Sequence, residues 1–169
     1  MTCSPGNTAA LKELGAAATF DYRSATCGRE IKNLTANKLT HALDCVTTAE
    51  TMTMCFEALG ARGGTYIALE APPTHVKYTR RDVTVDWVQA LSLFGDAVKL
   101  DGVYGRPASL SDRQFAAQLY MTAERWAHEG LVQPPDFRIR SGGLEALEEG
   151  IDEVRTGKTA GYKLVYPVS

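Results

Sequence analysis

Apolar and polar positions along this chain change rhythm near residue 72. Before that point, short apolar runs alternate with segments of helical period. Thr8 to Leu14 places Ala9, Ala10 and Leu14 near one face of a short helix, and Gly15 follows as its stop. Thr19-Phe20-Asp21-Tyr22 reads as a strand, and Gly28 to Leu34 as a helix with Ile31 and Leu34 turned inward. Leu39 to Val46 carries Ala42-Leu43 at its centre and reads as a buried parallel strand. Between Thr48 and Leu59, the residues Met52, Cys55, Phe56 and Leu59 recur at i, i+3, i+4 and i+7, one face of a helix. Gly60 and Gly63-Gly64 end it, and Thr65 to Leu69 is a second buried strand. Such alternation predicts right-handed crossovers and a parallel sheet.

Pro72-Pro73 interrupts the pattern. Val83, Val85 and Trp87 then alternate with Thr84 and Asp86, as in a half-exposed strand. Gly95, Gly102, Gly105 and Pro107 mark a long loop. Ser111 with Gln114 reads as a capping box for a helix to about Glu129, whose apolar stripe is Phe115, Leu119, Tyr120, Ala123 and Trp126. Phe137 to Arg140 is a strand. A last helix carries Leu144, Leu147, Ile151 and Val154, and Lys163 to Val168 is the closing strand.

The expected fold class is α/β: a partial Rossmann-like parallel sheet with flanking helices. The opening Thr2-Cys3-Ser4-Pro5-Gly6-Asn7, with the helix and strand after it, looks like a dinucleotide-binding unit entered at its second strand. The first strand and its glycine-rich phosphate loop are not among these residues. An incomplete sheet of this kind is expected to expose apolar edge and to lack the pyrophosphate cradle.

Composition changes this picture little. The chain has 169 residues, enough for one domain or one domain and part of another, and 44% hydrophobic content is ordinary for a globule. A net charge of −2 gives no support to nucleic-acid binding. No apolar run is long enough for a bilayer, and the N-terminus lacks the basic-then-apolar order of a signal peptide. Cys3, Cys27, Cys45 and Cys55 share no CxxC spacing, so reduced thiols in a cytoplasmic protein are expected. His41, His75 and His128 share no metal-ligand spacing, and no nucleophile–base pair stands out.

Candidate chemistry lies at the strand ends, where open α/β sheets bind ligands. A carboxylate after the second strand would bond a ribose 2′-hydroxyl and select NAD. Here Ser4, Pro5, Gly6 and Asn7 stand there instead, leaving room and donors for a 2′-phosphate, so NADP(H) is the expected cofactor. The same four residues also make an ordinary turn. Tyr22 follows a strand end and can stack on a cofactor, or be a core tyrosine. Leu69 and Glu70 end a strand and can meet a nicotinamide ribose, although Glu70 also reads as a solvated loop charge.

Leu14-Gly15-Ala16, Phe20-Asp21-Tyr22-Arg23, Ala42-Leu43-Asp44-Cys45-Val46 and Gly63-Gly64-Thr65-Tyr66-Ile67 resemble the cofactor domain of medium-chain dehydrogenases/reductases. Asp86-Trp87 to Phe94-Gly95, Tyr104-Gly105-Arg106-Pro107, Gly142-Gly143-Leu144, Val154 to Lys158 and Gly161 to Val165 narrow this. They are similar to the fungal stand-alone enoyl reductases that act in trans on polyketide synthases. The resemblance spans nearly the whole chain and matches about the C-terminal half of that family.

The resemblance implies hydride transfer from NADPH to the β-carbon of an α,β-unsaturated acyl thioester, then protonation at the α-carbon. It implies cofactor contacts at Ser4, Pro5, Gly6 and Asn7 for the 2′-phosphate, and at Tyr22, Leu69, Glu70, Val165 and Tyr166. It implies an acyl pocket lined by Ala90, Leu91, Ser92, Leu93 and Phe94, and no metal; it names no catalytic residue. The substrate can be carried by a synthase acyl carrier domain. Residues 1–110 would form the incomplete NADP-binding domain with the substrate segment. Residues 111–169 would complete it and return toward a GroES-like catalytic domain. Two other readings stay open: an inactive fragment or interaction module, and another medium-chain reductase such as a quinone reductase or alcohol dehydrogenase. The strand near Val83 to Val88 can pair with a second subunit or be covered, so monomer and dimer are both open.

Overall fold

In the computed structural model, which describes residues 1–132, 134–159 and 161–168, every ladder between strands is parallel. The chain divides into two units, Met1–Gln114 and Phe115–Ser169.

The first unit holds two sheets. β1 (Thr2–Cys3) pairs with β2 (Phe20–Asp21), joined through α1 (Thr8–Glu13). α2 (Cys27–Leu34) leads to a second sheet of order β3 (His41–Asp44), β4 (Gly64–Ala68) and β5 (Val83–Trp87). Its crossovers carry α3 (Ala49–Ala58) and the short α4 (Thr74–Lys77).

The core forms where α3 lies on this sheet. Met52, Phe56 and Leu59 meet Tyr66, Ala68, Val76 and Val83, and the Phe56 and Tyr66 rings pack edge to face at 5.7 Å. Gly63 and Gly64 make the sheet possible. A Cβ on Gly63 would stand 1.9 Å from the Asp82 carbonyl oxygen, and one on Gly64 would stand 2.2 Å from that of Thr40. Arg80 closes the far end of α3. Its guanidinium donates to the carbonyls of Phe56 (2.7 Å), Leu59 (3.0 Å) and Gly60 (2.8 Å), and Asp82 pairs with it. The carbonyls of Phe56 and Leu59 are otherwise unpaired acceptors of a helix terminus, while that of Gly60, just past the helix, also accepts from the Gly63 amide (3.1 Å).

The second unit contains most of α5 (Leu110–His128), then β6 (Phe137–Ile139), α6 (Leu147–Arg155) and β7 (Lys163–Val165). β6 pairs with β7, and Arg140 grips Glu153 of α6 through both carboxylate oxygens at 3.0 and 2.9 Å.

Several expectations need correction. β3 is an edge of its sheet, so Leu43 is 64% exposed rather than buried, and Leu34 of α2 is equally exposed. Phe115, Leu119, Tyr120 and Trp126 share a helix face but stay exposed, because periodicity selects a face without supplying its cover. The helix start is capped two residues earlier than expected: Ser109 accepts from the Asp112 amide (3.2 Å), and Ser111 lies inside α5. Pro72-Pro73 does not simply break the chain. Pro73 precedes α4, which places Val76 in the core.

Candidate functional site

Parallel pairing turns the carboxyl ends of the strands in each sheet the same way, and three side-chain groups gather there in the first unit. The first follows β1 and β2. Cys3 pairs with Asp21, so Ser4 and Tyr22 emerge from adjacent strands. Ser4 is half-buried and extended, and its side chain makes no capping bond to the 3₁₀ turn Pro5–Asn7; nor does that of Asn7 to α1. Tyr22 is 45% exposed, and the Arg23 guanidinium lies 5.0 Å from its ring centroid. Sequence reasoning passed over Arg23 as a site residue. A cation beside unspent hydroxyl and amide donors suits a phosphate.

The second group closes β3. Asp44 is 5% exposed and its carboxylate is fully occupied. Oδ1 accepts from the amides of Val46 and Thr47, both at 2.9 Å. Oδ2 accepts from the hydroxyls of Thr51 (2.7 Å) and Tyr66 (2.9 Å). Burial opposes the charge, but these four bonds outweigh it and hold the carboxyl below the usual carboxylate range. Burial and the Asp44 partner push the Tyr66 phenol far up. Thr47 adopts φ +61°, a left-handed conformation costly for a β-branched residue. Thr48 then caps α3 by accepting from the Thr51 amide, while the Thr51 hydroxyl accepts from the Thr48 amide.

The third group joins the ends of β4 and β5. Leu69 and Glu70 follow β4 and are both exposed, and the neighbouring Glu70 carboxylate raises the Tyr104 phenol above its ordinary pKa. The Tyr104 and Trp87 rings meet edge to face at 5.6 Å, and the Arg106 guanidinium lies 4.6 Å from the Trp87 centroid. Arg106 also donates to the carbonyls of Val103 and Gly105, and Gln89 to that of Tyr104. The loop 98–106 is thereby tied to β5 next to the 3₁₀ turn Ala90–Phe94. Within that turn Ala90, Leu91 and Phe94 are exposed, whereas Ser92 and Leu93 are half-buried.

The structure therefore brings Leu69, Glu70 and the segment Ala90–Phe94 to one end of one sheet, with Ser4–Asn7 and Tyr22 at the ends of the other. Val165 and Tyr166 lie in the second unit. Val165 ends β7, and Tyr166 packs on Gly150 of α6, lining an open groove of about 580 Å³ with Leu147, Ile151, Val154 and Leu164. Asp44, Trp87, Tyr104 and Arg106 escaped the reading of single residues as site residues. Their signal was positional: an acidic residue closing an apolar strand ahead of a threonine cap, and aromatic and basic residues in one loop.

The four cysteines are free, and burial raises the Cys55 thiol to about 12, which removes its thiolate at neutral pH. Among the described residues, no group of three or more His, Cys, Asp or Glu side chains is placed to hold a metal ion. No described helix is long and apolar enough to cross a membrane.

No protein-family model matches the chain. Individual relatives do. The chain is 50% identical over 168 residues to the trans-enoyl reductase FMN2 of Fusarium mangiferae, covering 99% of this chain and 45% of that protein. It is 47% identical over 169 residues to a trans-enoyl reductase of Gibberella fujikuroi, covering 100% of this chain and 49% of that one. The chain thus spans about half the length of the curated relatives it matches. Solved structures share the fold at lower identity. The JamJ enoyl reductase superposes with a TM-score of 0.69 at 18% identity, over 98% of this chain and 46% of that one. A putative NADPH:quinone reductase from Bacillus thuringiensis superposes with 0.68 at 15% identity, over 94% and 44%. By sequence the chain is similar to fungal trans-enoyl reductases, and it shares the fold of the solved enoyl reductases over about half of their length.

Proposed function

We propose that the chain is the cofactor-binding half of an NADPH-dependent enoyl reductase acting on α,β-unsaturated polyketide acyl thioesters. The observation that carries this is the match of essentially every residue, at 50% and 47% identity, to proteins named trans-enoyl reductases. The site chemistry agrees with it. When bound, NADPH supplies the hydride for the β-carbon of the enoyl group, and the α-carbon is then protonated.

The residues present fit this cofactor. Ser4, Asn7 and Arg23 offer donors and one positive charge for the 2′-phosphate, and one oxygen of the Asp21 carboxylate is occupied by the Arg23 amide (3.0 Å). Tyr22 offers an exposed ring for the adenine side. Leu69 and Glu70 supply backbone at the nicotinamide side. Leu91 and Phe94 give the acyl chain an apolar surface beside it. Val165 and Tyr166 remain a proposed late contact from the second unit. An acyl carrier domain would deliver the substrate, and a cytoplasmic setting agrees with the free thiols.

A quinone reductase shares the fold, but fold likeness does not carry activity. The test is titration of the 169-residue chain with NADPH and NADH, followed by nicotinamide fluorescence. Saturable binding that favours NADPH by at least about tenfold is expected. Ser4→Asp should erase that preference by removing a donor and adding like charge. Equal affinity for both cofactors would overturn the assignment of Ser4 to Asn7, and an unchanged preference in the variant would overturn the role of Ser4.

A further inference from the structure

The Asp44 cage has no part in the contacts assigned so far, yet both of its buried carboxylate oxygens are fully satisfied. Its geometry is specific. Two of its four bonds run to consecutive backbone amides, Val46 and Thr47, at the carboxyl end of β3. The other two tie the carboxylate to α3 through Thr51 and to the sheet core through Tyr66, which is wholly buried. The turn held in this way is unusual, because Thr47 is forced to φ +61°. Strain of that kind persists only where surrounding contacts over-determine it, and such positions cluster at ligand sites. The turn also presents side chains outward that a stable core would have covered: Val46 is 66% exposed and Cys45 is exposed.

Its position says which part of a ligand would meet it. A dinucleotide straddles the switch between the two strand groups of such a fold. With the adenosine half at the ends of β1 and β2, the other nucleotide falls to the ends of β3 and β4. Resting on the proposed function, we propose that Asp44 is a positioning residue that fixes the turn Cys45–Thr48 as a backbone and side-chain platform for the nicotinamide half of the cofactor. Tyr66 and Thr51 are its anchors. Asp44 does not touch the ligand; it sets where Val46 and the neighbouring backbone stand.

The test compares two probes on the same chain: NADPH, and adenosine 2′,5′-bisphosphate, which lacks the nicotinamide half. In the wild type, NADPH should bind at least about tenfold tighter than the bisphosphate. Asp44→Asn places an amide NH₂ or a weaker acceptor where charged oxygens stood. NADPH affinity should fall at least about tenfold, with bisphosphate affinity unchanged within about twofold. Loss of affinity for both probes alike would mean a purely structural role and overturn the inference, as would no loss for either. Circular dichroism and thermal melting check that the variant folds. If it does not, Tyr66→Phe removes one anchor and keeps the carboxylate. It should show the same selective loss at about threefold, and its absence overturns the proposal. A wild-type chain that binds both probes equally overturns this inference while the adenosine site stands. One that binds neither overturns the proposed function, and this inference with it.

Discussion

The sheet β3–β4–β5 buries Met52, Leu59, Tyr66 and Ala68 completely, whereas the unit Phe115–Ser169 buries only Ala116 and Gly150 among its described residues. Both regions carry helices with regular apolar stripes. They differ in what the stripe meets. Each crossover of the three-stranded sheet returns its helix to the sheet it left, so α3 and α4 cover β4 and β5 within a short stretch of chain. In the second unit, a two-stranded sheet offers too little surface for Leu144, Ile151 and Val154, which stay more than half exposed. An apolar pattern becomes a core only where the topology supplies a surface wide enough to receive it.

The sharpest way to break this contrast is at Phe56. Replacing it with Ala removes the ring that packs on Tyr66, and should cost about 3–5 kcal/mol in urea-induced unfolding. A cost below about 1 kcal/mol would mean that the α3 contact is not the core of the first unit.

Asp44→Asn should cost about 2–3 kcal/mol at neutral pH, because the donors that met a charge lose it. The folded carboxyl titrates below its unfolded value. Its stabilisation is therefore present above about pH 4 and is lost as pH falls through the depressed folded value. Melting temperature should fall more steeply with acidification in the wild type than in Asp44→Asn, and parallel slopes would refute the charged cage.

Arg80→Ala should come next, at about 2 kcal/mol, since the Phe56 and Leu59 carbonyls at the end of α3 lose their donor and that of Gly60 keeps only the Gly63 amide. Arg80→Lys should recover only part of it, because an ammonium lacks the planar fork. Ile151→Ala should change stability by less than about 1 kcal/mol, as befits a residue that is 54% exposed. Hydrogen exchange sharpens the same comparison: amides of β4 should outlast those of β6 and β7.

Much of the first unit was legible in the sequence. The spacing of Met52, Cys55, Phe56 and Leu59 located α3, and the alternation Val83, Val85, Trp87 located β5 with its half-buried face. Gly63-Gly64 was read as a helix end, while its stronger constraint is the backbone packed against both glycines. That constraint comes from residues distant in sequence, Thr40 and Asp82, and no local pattern encodes it. The same holds at the site. Ser4 to Asn7 and Leu69-Glu70 stood out because strand ends are locally marked. The Asp44 cage and the Trp87–Tyr104–Arg106 stack join residues brought together only by folding. Leu43 was expected to be buried, and the stripe of α5 was located without its exposure, because local pattern carries no information about which neighbour is present.

Parallel pairing within one contiguous segment has a kinetic consequence. β3, β4 and β5 follow one another in both sequence and space, so each ladder closes a loop of about twenty residues, a modest entropic step. Such low-order pairing makes the stretch from His41 to Trp87 the expected folding nucleus, with Phe56 and Tyr66 already docked in the transition state. Substitutions there should slow refolding, while changes in α6 should leave the refolding rate untouched.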